Sequence, residues 1–161
     1  MIQKIYLSYI AGLMDGEGSF QIKRKLRSGR INYQLWVTCG MSNIPENFEV
    51  LKNIQKIIGG NICSIKPKEN RIGAVHWTIV SQQALRFLKL IKPYIKIKNK
   101  QLNLLIEFQT KFVSRKGKKK DLVKFKKQEE MCIELRKLNF KNKLELQRLS
   151  ERTSLWDDAT V

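Results

Sequence analysis

The chain has 161 residues, of which 32 are lysine or arginine and 14 are aspartate or glutamate, so its formal net charge is +18 at pH 7. This length predicts a single domain with a hydrophobic core, and this charge predicts a polyanionic partner, either a nucleic acid or an anionic membrane surface. No apolar run is long enough for a membrane span, and one histidine with three widely separated cysteines argues against a zinc site.

The amino-terminal segment predicts a helix. Ala11 and Gly12 are adjacent small residues inside it, and small residues allow another backbone to approach closely. Gly16 and Gly18 stand where the helix should end, because glycine accepts the conformations that terminate helices. Apolar residues recur at roughly helical spacing along it, namely Ile5, Leu7, Ile10, Leu13 and Met14.

Two acidic residues, Asp15 and Glu17, follow each other across Gly16 at the carboxyl end of this helix. The helix dipole is negative there, and the two acids repel each other, so a cation or hydrogen-bond donors must offset them. A divalent metal bound by carboxylate and carbonyl oxygens meets this requirement. An ordinary solvated turn with two acids is the alternative.

Two strands with alternating patterns come next, Ser19 to Arg27 and Ile31 to Met41, joined by a turn at residues 28–30. One face of this hairpin carries long polar and cationic side chains, which suit the edges of bases in the major groove. A merely solvated sheet face is the alternative. The predicted DNA-binding residues of the hairpin are Gln21, Lys23, Lys25, Arg27, Asn32, Gln34, Trp36 and Thr38.

The pattern then repeats as helix, strand, strand and helix. A helix is predicted from Pro45, strands at Asn61 to Lys66 and Arg71 to Ser81, and a helix from Ser81 to about Pro93. The sequence therefore predicts an α+β fold with an α-β-β-α-β-β-α core and a curved, antiparallel four-stranded sheet. Weaker DNA-binding candidates on the fourth strand are Arg71, His76 and Thr78.

The remaining chain is basic and helical. We expect residues 1–113 to form the core domain and residues 114–161 to form a basic loop and extra C-terminal helices packed on the same domain. The lysines of the loop are predicted to contact phosphates, with a solvated loop as the alternative. They are Lys116, Lys118, Lys119 and Lys120.

The segment from Ile10 to Gly18 resembles the signature of the LAGLIDADG homing endonucleases. Ala11, Gly12, Asp15 and Gly18 match it outright, and Glu17 replaces its final acid. The resemblance extends over approximately residues 5 to 110 and includes one copy of the motif. In single-motif members the motif helices of two subunits pack together, so the resemblance implies a homodimer on double-stranded DNA, with no membrane partner.

The same resemblance implies roles for individual residues. Glu17 would be the essential metal ligand, assisted by the Gly16 carbonyl, and Asp15 would cap the partner helix. Asn43 would position water, or instead cap the helix at Pro45; Lys98 would lie beside the scissile phosphate, or be an ordinary basic residue. The implied dimer contacts are Ile10, Ala11, Gly12, Leu13 and Asp15.

The resemblance implies a site-specific, intron-encoded homing endonuclease that makes staggered double-strand breaks in a long pseudo-palindromic DNA site. Mg²⁺ would support the hydrolysis, Mn²⁺ would substitute, and Ca²⁺ would bind without cleavage. Two alternatives remain: an RNA-splicing maturase, and a sequence-specific DNA-binding protein without catalysis. No secretory signal is readable and the cysteines suit a reducing compartment, so we expect an intracellular protein, in an organelle or a prokaryotic cytoplasm.

Overall fold

A computed structural model describes residues 3–27, 29–67, 72–113 and 122–139. Its elements are helix α1 (Lys4–Gly16), strands β1 (Gly18–Arg27) and β2 (Arg30–Ser42), helix α2 (Pro45–Ile58), strands β3 (Asn61–Ile65) and β4 (Ala74–Val80), helices α3 (Ser81–Ile91) and α4 (Asn99–Glu107), a π-helical turn (Phe108–Phe112) and helix α5 (Leu122–Asn139). The predicted α+β class and the α-β-β-α-β-β-α order are confirmed. Strand β4 is shorter than expected, and Arg71 lies outside the described residues.

The four strands form one antiparallel sheet in the order β1-β2-β4-β3. Successive side chains point to opposite faces of a strand, so the alternation in the sequence decides which face is buried. Alternation along the two central strands puts one set of apolar side chains on the core side, and these are buried except at the ends of β2, where Met41 is half-buried. The buried ones are Tyr33, Leu35, Val37, Cys39, Val75, Trp77 and Ile79.

Within the described ranges, the helices cover one face of this sheet. Buried residues of α1, α2, α3 and α4 join the inward side chains of the strands in a single hydrophobic core. The opposite face of β4 is half-buried at alternate positions, and the same alternation runs along β2. The fold therefore leaves one broad sheet face for a partner, as a two-layer α+β domain allows.

Two consecutive glycines connect α2 to β3. Gly59 has φ = +86° and Gly60 has φ = +100°, conformations that side chains with a Cβ rarely adopt. The indole nitrogen of the buried Trp77 donates a hydrogen bond to the Gly59 carbonyl at 2.8 Å. The turn thus ends α2 and satisfies the polar atom of the largest core side chain.

Helix α5 lies against strand β1, which is an edge of the sheet. Its Asn139 Nδ2 donates to the Phe20 carbonyl at 2.9 Å, and its Cys132 Sγ lies 3.2 Å from the Ile22 carbonyl. Tyr33 Oη donates to Glu129 at 2.9 Å, so the helix is also tied to β2. These contacts cover backbone groups that an edge strand otherwise offers to other chains. The division of domains at residue 113 stays a prediction.

Candidate active site and nucleic-acid interface

Helix α1 has one buried face and one exposed face. Ile10 and Ala11 are fully buried in the core of their own chain. The expectation that these two side chains contact a second subunit is therefore wrong, because other elements of the same chain already cover them. The opposite face carries Ile5 and Tyr9, which are 82% and 50% exposed, together with Leu13, which is half-buried.

Gly12 and Gly16 also lie on the exposed side of α1. A Cβ added at either position would meet no atom within 4 Å. Packing inside the described chain therefore gives no reason for glycine at these positions, although glycine inside a helix costs about 1 kcal/mol relative to alanine. The two residues are four apart, which places them one above the other on a helix.

The carboxylate of Asp15 accepts hydrogen bonds from three backbone amides just before α4. The amides of Lys96, Ile97 and Lys98 donate to it over 2.8, 3.2 and 3.0 Å. Desolvation pushes the pKa of Asp15 upward, but these three bonds and the charge of Lys98 together outweigh it and hold that pKa below its ordinary value. Asp15 therefore caps a segment of its own chain, which corrects the expectation that its carboxylate caps the helix of a partner.

Lys98 places its ammonium at the carboxyl end of α1. Nζ donates to the carbonyls of Met14 and Gly16 at 3.1 and 3.3 Å, and also to the carbonyl of Gly18. A cation is stabilising there, because helix carbonyls at this end lack intrahelical partners and the dipole is negative. The cation and the donors that the acidic turn requires are thus supplied by Lys98 and by the amides around it.

Glu17 follows as the residue that ends α1, with its amide donating to the Leu13 carbonyl at 2.8 Å and its side chain exposed. Burial raises the pKa of the nearby Cys39 thiol to about 12; the charge of Glu17 adds to this rise and Lys98 opposes it. The charges of Glu17 and Lys98 therefore both reach Cys39, which pairs with Gly18 in the sheet.

A metal at this turn would have few ligands from protein side chains. Within the described ranges, no three His, Cys, Asp or Glu residues come together as ligands. The available oxygens are the Glu17 carboxylate and the Gly16 carbonyl, and that carbonyl already faces the ammonium of Lys98. So few protein oxygens would suit Mg²⁺, which keeps several waters and uses few carboxylates.

The polar face of the sheet carries most of the strand side chains predicted to read DNA. They are exposed or half-buried, and the strand register aligns them in rows across the sheet. From one edge, these rows are Lys25–Asn32, Lys23–Gln34, Gln21–Trp36–Val80, Ser19–Thr38–Thr78–Asn61 and Gly40–His76–Cys63.

Some predicted DNA contacts cannot be placed on this face. Arg27 ends strand β1, and its side chain lies outside the described set. The predictions for Arg71 and for the lysines of the basic loop also fall outside the described residues, namely Lys116, Lys118, Lys119 and Lys120.

Several side chains of the polar face are linked to one another. The ammonium groups of Lys23 and Lys25 lie 4.0 and 4.3 Å from the ring centroid of Trp36. The Trp36 indole nitrogen donates to Gln34 Oε1 at 3.1 Å, and Gln34 Nε2 donates to Ser81 Oγ at 2.9 Å. Nothing in the sequence connects Ser81 with this face, but in the structure its hydroxyl accepts from Gln34 and its φ is +51°.

Gly40 makes room for His76, its neighbour across the sheet. A Cβ on Gly40 would lie 2.8 Å from two atoms of the imidazole ring. A glycine inside a strand often marks such a close approach, and this signal was available in the sequence.

Asn43 lies between β2 and α2, with its side chain exposed. The helix cap is Ile44, and no side chain caps α2, so the alternative reading of Asn43 as a cap is wrong. Its backbone amide donates to the Gly73 carbonyl at 2.8 Å. Asn43 is four residues beyond Cys39, the pairing partner of Gly18, which is roughly 13 Å along a strand.

Comparison with known proteins gives sequence relatives with a related description. The probable intron-encoded endonuclease aI3 of Dictyostelium citrinum is 33% identical over 100 residues, which are 60% of this chain and 40% of the relative. The protein of the same name from Debaryomyces hansenii is 31% identical over 84 residues, or 52% of this chain and 11% of that protein. The chain thus spans less than half the length of these curated relatives.

A solved structure shares the fold over most of both chains. The homing endonuclease I-CvuI in complex with its target has a TM-score of 0.70 and 19% identity, covering 86% of this chain and 85% of that one.

None of the described helices is long and apolar enough to cross a membrane.

The sequence profile of the LAGLIDADG endonuclease family matches residues 10–98, which is more than half of the 161 residues. This match begins inside α1 and ends at Lys98, and therefore includes the acidic turn, the whole sheet and the lysine that faces the turn. The chain belongs to the LAGLIDADG endonuclease family.

Proposed function

We propose that this protein is a site-specific, intron-encoded homing endonuclease that makes staggered double-strand breaks in a long pseudo-palindromic DNA site. One observation carries the proposal. The exposed carboxylate of Glu17 stands at the point where α1 passes into β1, the first strand of the polar sheet face. A duplex lying on that face would therefore bring its phosphates towards an acidic turn.

Net charge and the chemistry of the sheet face support DNA as the substrate. The net charge of +18 favours a polyanion through release of counterions, and the face carries amides and ammonium groups that suit base edges. The I-CvuI neighbour was solved in complex with its target, and the archaeal intron-encoded homing endonuclease I-Vdi141I was solved complexed with DNA. We place Gln21, Lys23, Lys25, Asn32, Thr38, His76 and Thr78 against the duplex.

We propose a homodimer that forms through the exposed face of α1. Gly12 and Gly16 would allow the two helices to approach closely, and Ile5, Tyr9 and Leu13 would supply apolar contacts. Ile97 lies in the segment held by Asp15 and is 74% exposed, and it would add a further apolar contact. Two acidic turns would then come together near the twofold axis, one for each strand.

Divalent metal would be held by the Glu17 carboxylate and the Gly16 carbonyl, together with DNA phosphates and water. When bound, Mg²⁺ supplies charge neutralisation at the phosphate and lowers the pKa of a bound water. The related I-CvuI was solved in the presence of 2 mM Ca and, in another complex, of 2 mM Mg with DNA not cleaved. We expect Mn²⁺ to substitute and Ca²⁺ to bind without supporting cleavage.

Lys98 and Asn43 would act on the reacting phosphate from different elements. The ammonium of Lys98 is fixed beside the Gly16 carbonyl, from where it can stabilise negative charge that develops on a phosphate oxygen. Asn43 follows the end of β2, and its exposed amide would orient a water or a phosphate.

The test is selection of cleavage sites from a DNA library, with wild type and the Glu17→Gln variant. In Mg²⁺ the wild type should release one family of related sites, and Glu17→Gln should bind those sites in Ca²⁺ with unchanged affinity but cut none in Mg²⁺. Glu46→Gln is the matched control, because Glu46 is exposed in the first turn of α2, and it should cut normally.

Two outcomes would contradict the proposal. Cutting by Glu17→Gln at the wild-type rate would show that the Glu17 carboxylate is not needed for cleavage. Sequence-selective binding by a wild type that cuts no DNA would favour a non-catalytic binding protein, or a splicing maturase if intron RNA is bound instead.

A further inference from the structure

We infer that Lys23 and Lys25, held over the ring of Trp36, read a guanine in each half of the DNA site, and that Gln34 positions this unit instead of reading a base. The inference rests on the proposed function, because it concerns the same polar sheet face. The unit consists of Lys23, Lys25, Gln34, Trp36 and Ser81.

The hydrogen bonds of Gln34 carry the first step. Reading an adenine requires the amide to donate through nitrogen and accept through oxygen at the same time. In this structure the nitrogen of Gln34 donates to Ser81 at 2.9 Å, while its oxygen accepts from the Trp36 indole at 3.1 Å. Each end of the amide thus makes one hydrogen bond within the protein, which holds the side chain in place, and we therefore give Gln34 a positioning role where the sequence predicted a base-edge reader.

The orientation of Trp36 carries the second step. Its only hydrogen-bond donor, the indole N–H, points to Gln34 on the same strand, which fixes the plane of the ring. The ring face attracts cations, and both ammonium groups lie within 4.3 Å of its centroid. Trp36 therefore gathers two positive charges at one place on the sheet.

The electrostatics of the lysine pair agree with this arrangement. The pKa of Lys23 is lowered, first by partial burial and then by the neighbouring charge of Lys25. Two like charges that raise each other's energy gain when an acceptor-rich group comes between them.

The chemistry of the outward-facing groups identifies the base. The unit presents the ammonium groups of Lys23 and Lys25, which can only donate, while the oxygen of Gln34 already accepts from the Trp36 indole. Among major-groove edges, guanine presents two adjacent acceptors, O6 and N7, whereas adenine presents one acceptor beside a donor. Two ammonium groups, which only donate, therefore favour guanine over adenine at the base pair above Trp36.

The test is selection of bound DNA from a library in Ca²⁺, so that cleavage is not required. Wild type should select guanine at one position in each half-site. Lys23→Met and Lys25→Met should each relax the preference at that position and weaken binding to the selected site by roughly tenfold. Lys89→Met is the matched control, since Lys89 is exposed on α3 in the helical layer, and it should leave the preference unchanged.

Gln34→Leu tests the positioning role separately. With 5-fluorotryptophan incorporated, the fluorine resonance of Trp36, assigned by its loss in Trp36→Phe, should shift in Gln34→Leu and in both lysine variants. Gln34→Leu should weaken the guanine preference and alter no adenine preference. Loss of an adenine preference in this variant would overturn the inference.

The outcomes separate the inference from the proposed function. Equal weakening of all sequences by the lysine variants would show phosphate contact and would overturn the inference alone. Failure of the wild type to select any DNA would contradict the proposed function, and the inference with it.

Discussion

Two sets of hydrogen bonds link Lys98 to Asp15 and its neighbours. The backbone amide of Lys98 donates to Asp15 Oδ1 at 3.0 Å, and the ammonium of Lys98 donates to the carbonyls on either side of Asp15, those of Met14 and Gly16. The end of α1 is therefore fixed to the start of α4. This link determines where Glu17 stands, because Glu17 follows the same turn.

Replacing Asp15 by Asn should destabilise the protein, by about 1–2 kcal/mol, because a charged acceptor of three amide hydrogens becomes a neutral one. The measurement is urea unfolding over a range of pH. The pKa of Asp15 is lowered in the folded state, so its contribution is complete above the ordinary carboxyl pKa and is lost as pH falls through the lowered value.

The difference in the free energy of unfolding between wild type and Asp15→Asn should therefore become smaller in acid. Glu49→Gln is the control, because the exposed Glu49 makes only a 3.9 Å ion pair with Lys52 and should change stability little. A constant gap across the acidic range would show that the charge of Asp15 does not stabilise the fold.

Lys98→Met should lower stability by about 1 kcal/mol as well as impair cleavage, because the carbonyls at the end of α1 lose a charged donor. Hydrogen exchange should increase at the last turn of α1. Lys96→Met is the matched control, since the Lys96 side chain is exposed in the same segment. Unchanged exchange and stability with lost cleavage would make Lys98 purely catalytic.

The sheet could be predicted from sequence because its physics is local. Alternation along β2 decides which side chains face inward, and the buried Leu35 and Val37 lie between the half-buried Gln34, Trp36 and Thr38, as the pattern indicated. The two-glycine end of α2 was also readable, since few residues accept those backbone angles.

The site was less predictable because its contacts join distant parts of the chain. The motif gives residue types for α1, but which face of the helix meets its own core depends on packing with other elements, and this reversed the expectation for Ile10 and Ala11. The partners of Asp15 lie more than 80 positions away, in a segment with no recognisable signal for capping.

Replacing Gly12 by Ala should have opposite effects on the stability of the single chain and on the association of two chains. The single chain has open space at this position, so alanine should stabilise it by up to about 1 kcal/mol through its helix propensity. In a dimer formed through α1, the added methyl should instead force the helices apart and weaken association.

Sedimentation across a range of protein concentrations measures this association. Asn53→Ala, on the exposed surface of α2, is the control and should leave the oligomeric state unchanged. Unaltered association of Gly12→Ala would place the subunit contact elsewhere.

Gly40→Ala should displace the ring of His76, because the new methyl would lie 2.8 Å from two ring atoms. We expect a loss of about 1–3 kcal/mol in the free energy of unfolding, as overpacking usually causes. In the background of His76→Ala the same methyl meets an open space, so most of the loss should disappear. A double-mutant cycle by chemical denaturation gives this coupling; additive effects would show that the two residues do not compete for space.

Removal of α5 should expose the edge of the sheet at β1. A chain ending at Val113 loses the bonds from Asn139 and Cys132 to the carbonyls of Phe20 and Ile22, and loses the buried Met131 and Leu135. We expect a lower melting temperature and aggregation through pairing of edge strands.

A chain ending at Asn139 is the matched control for this truncation, because it keeps α5 and every contact just described. It should remain as soluble as the full chain and melt close to it, by calorimetry and light scattering. If the chain ending at Val113 also stays soluble and folded, then α5 is dispensable for edge protection and residues 1–113 fold alone. Equal aggregation of both truncated chains would instead assign the protection to residues beyond α5.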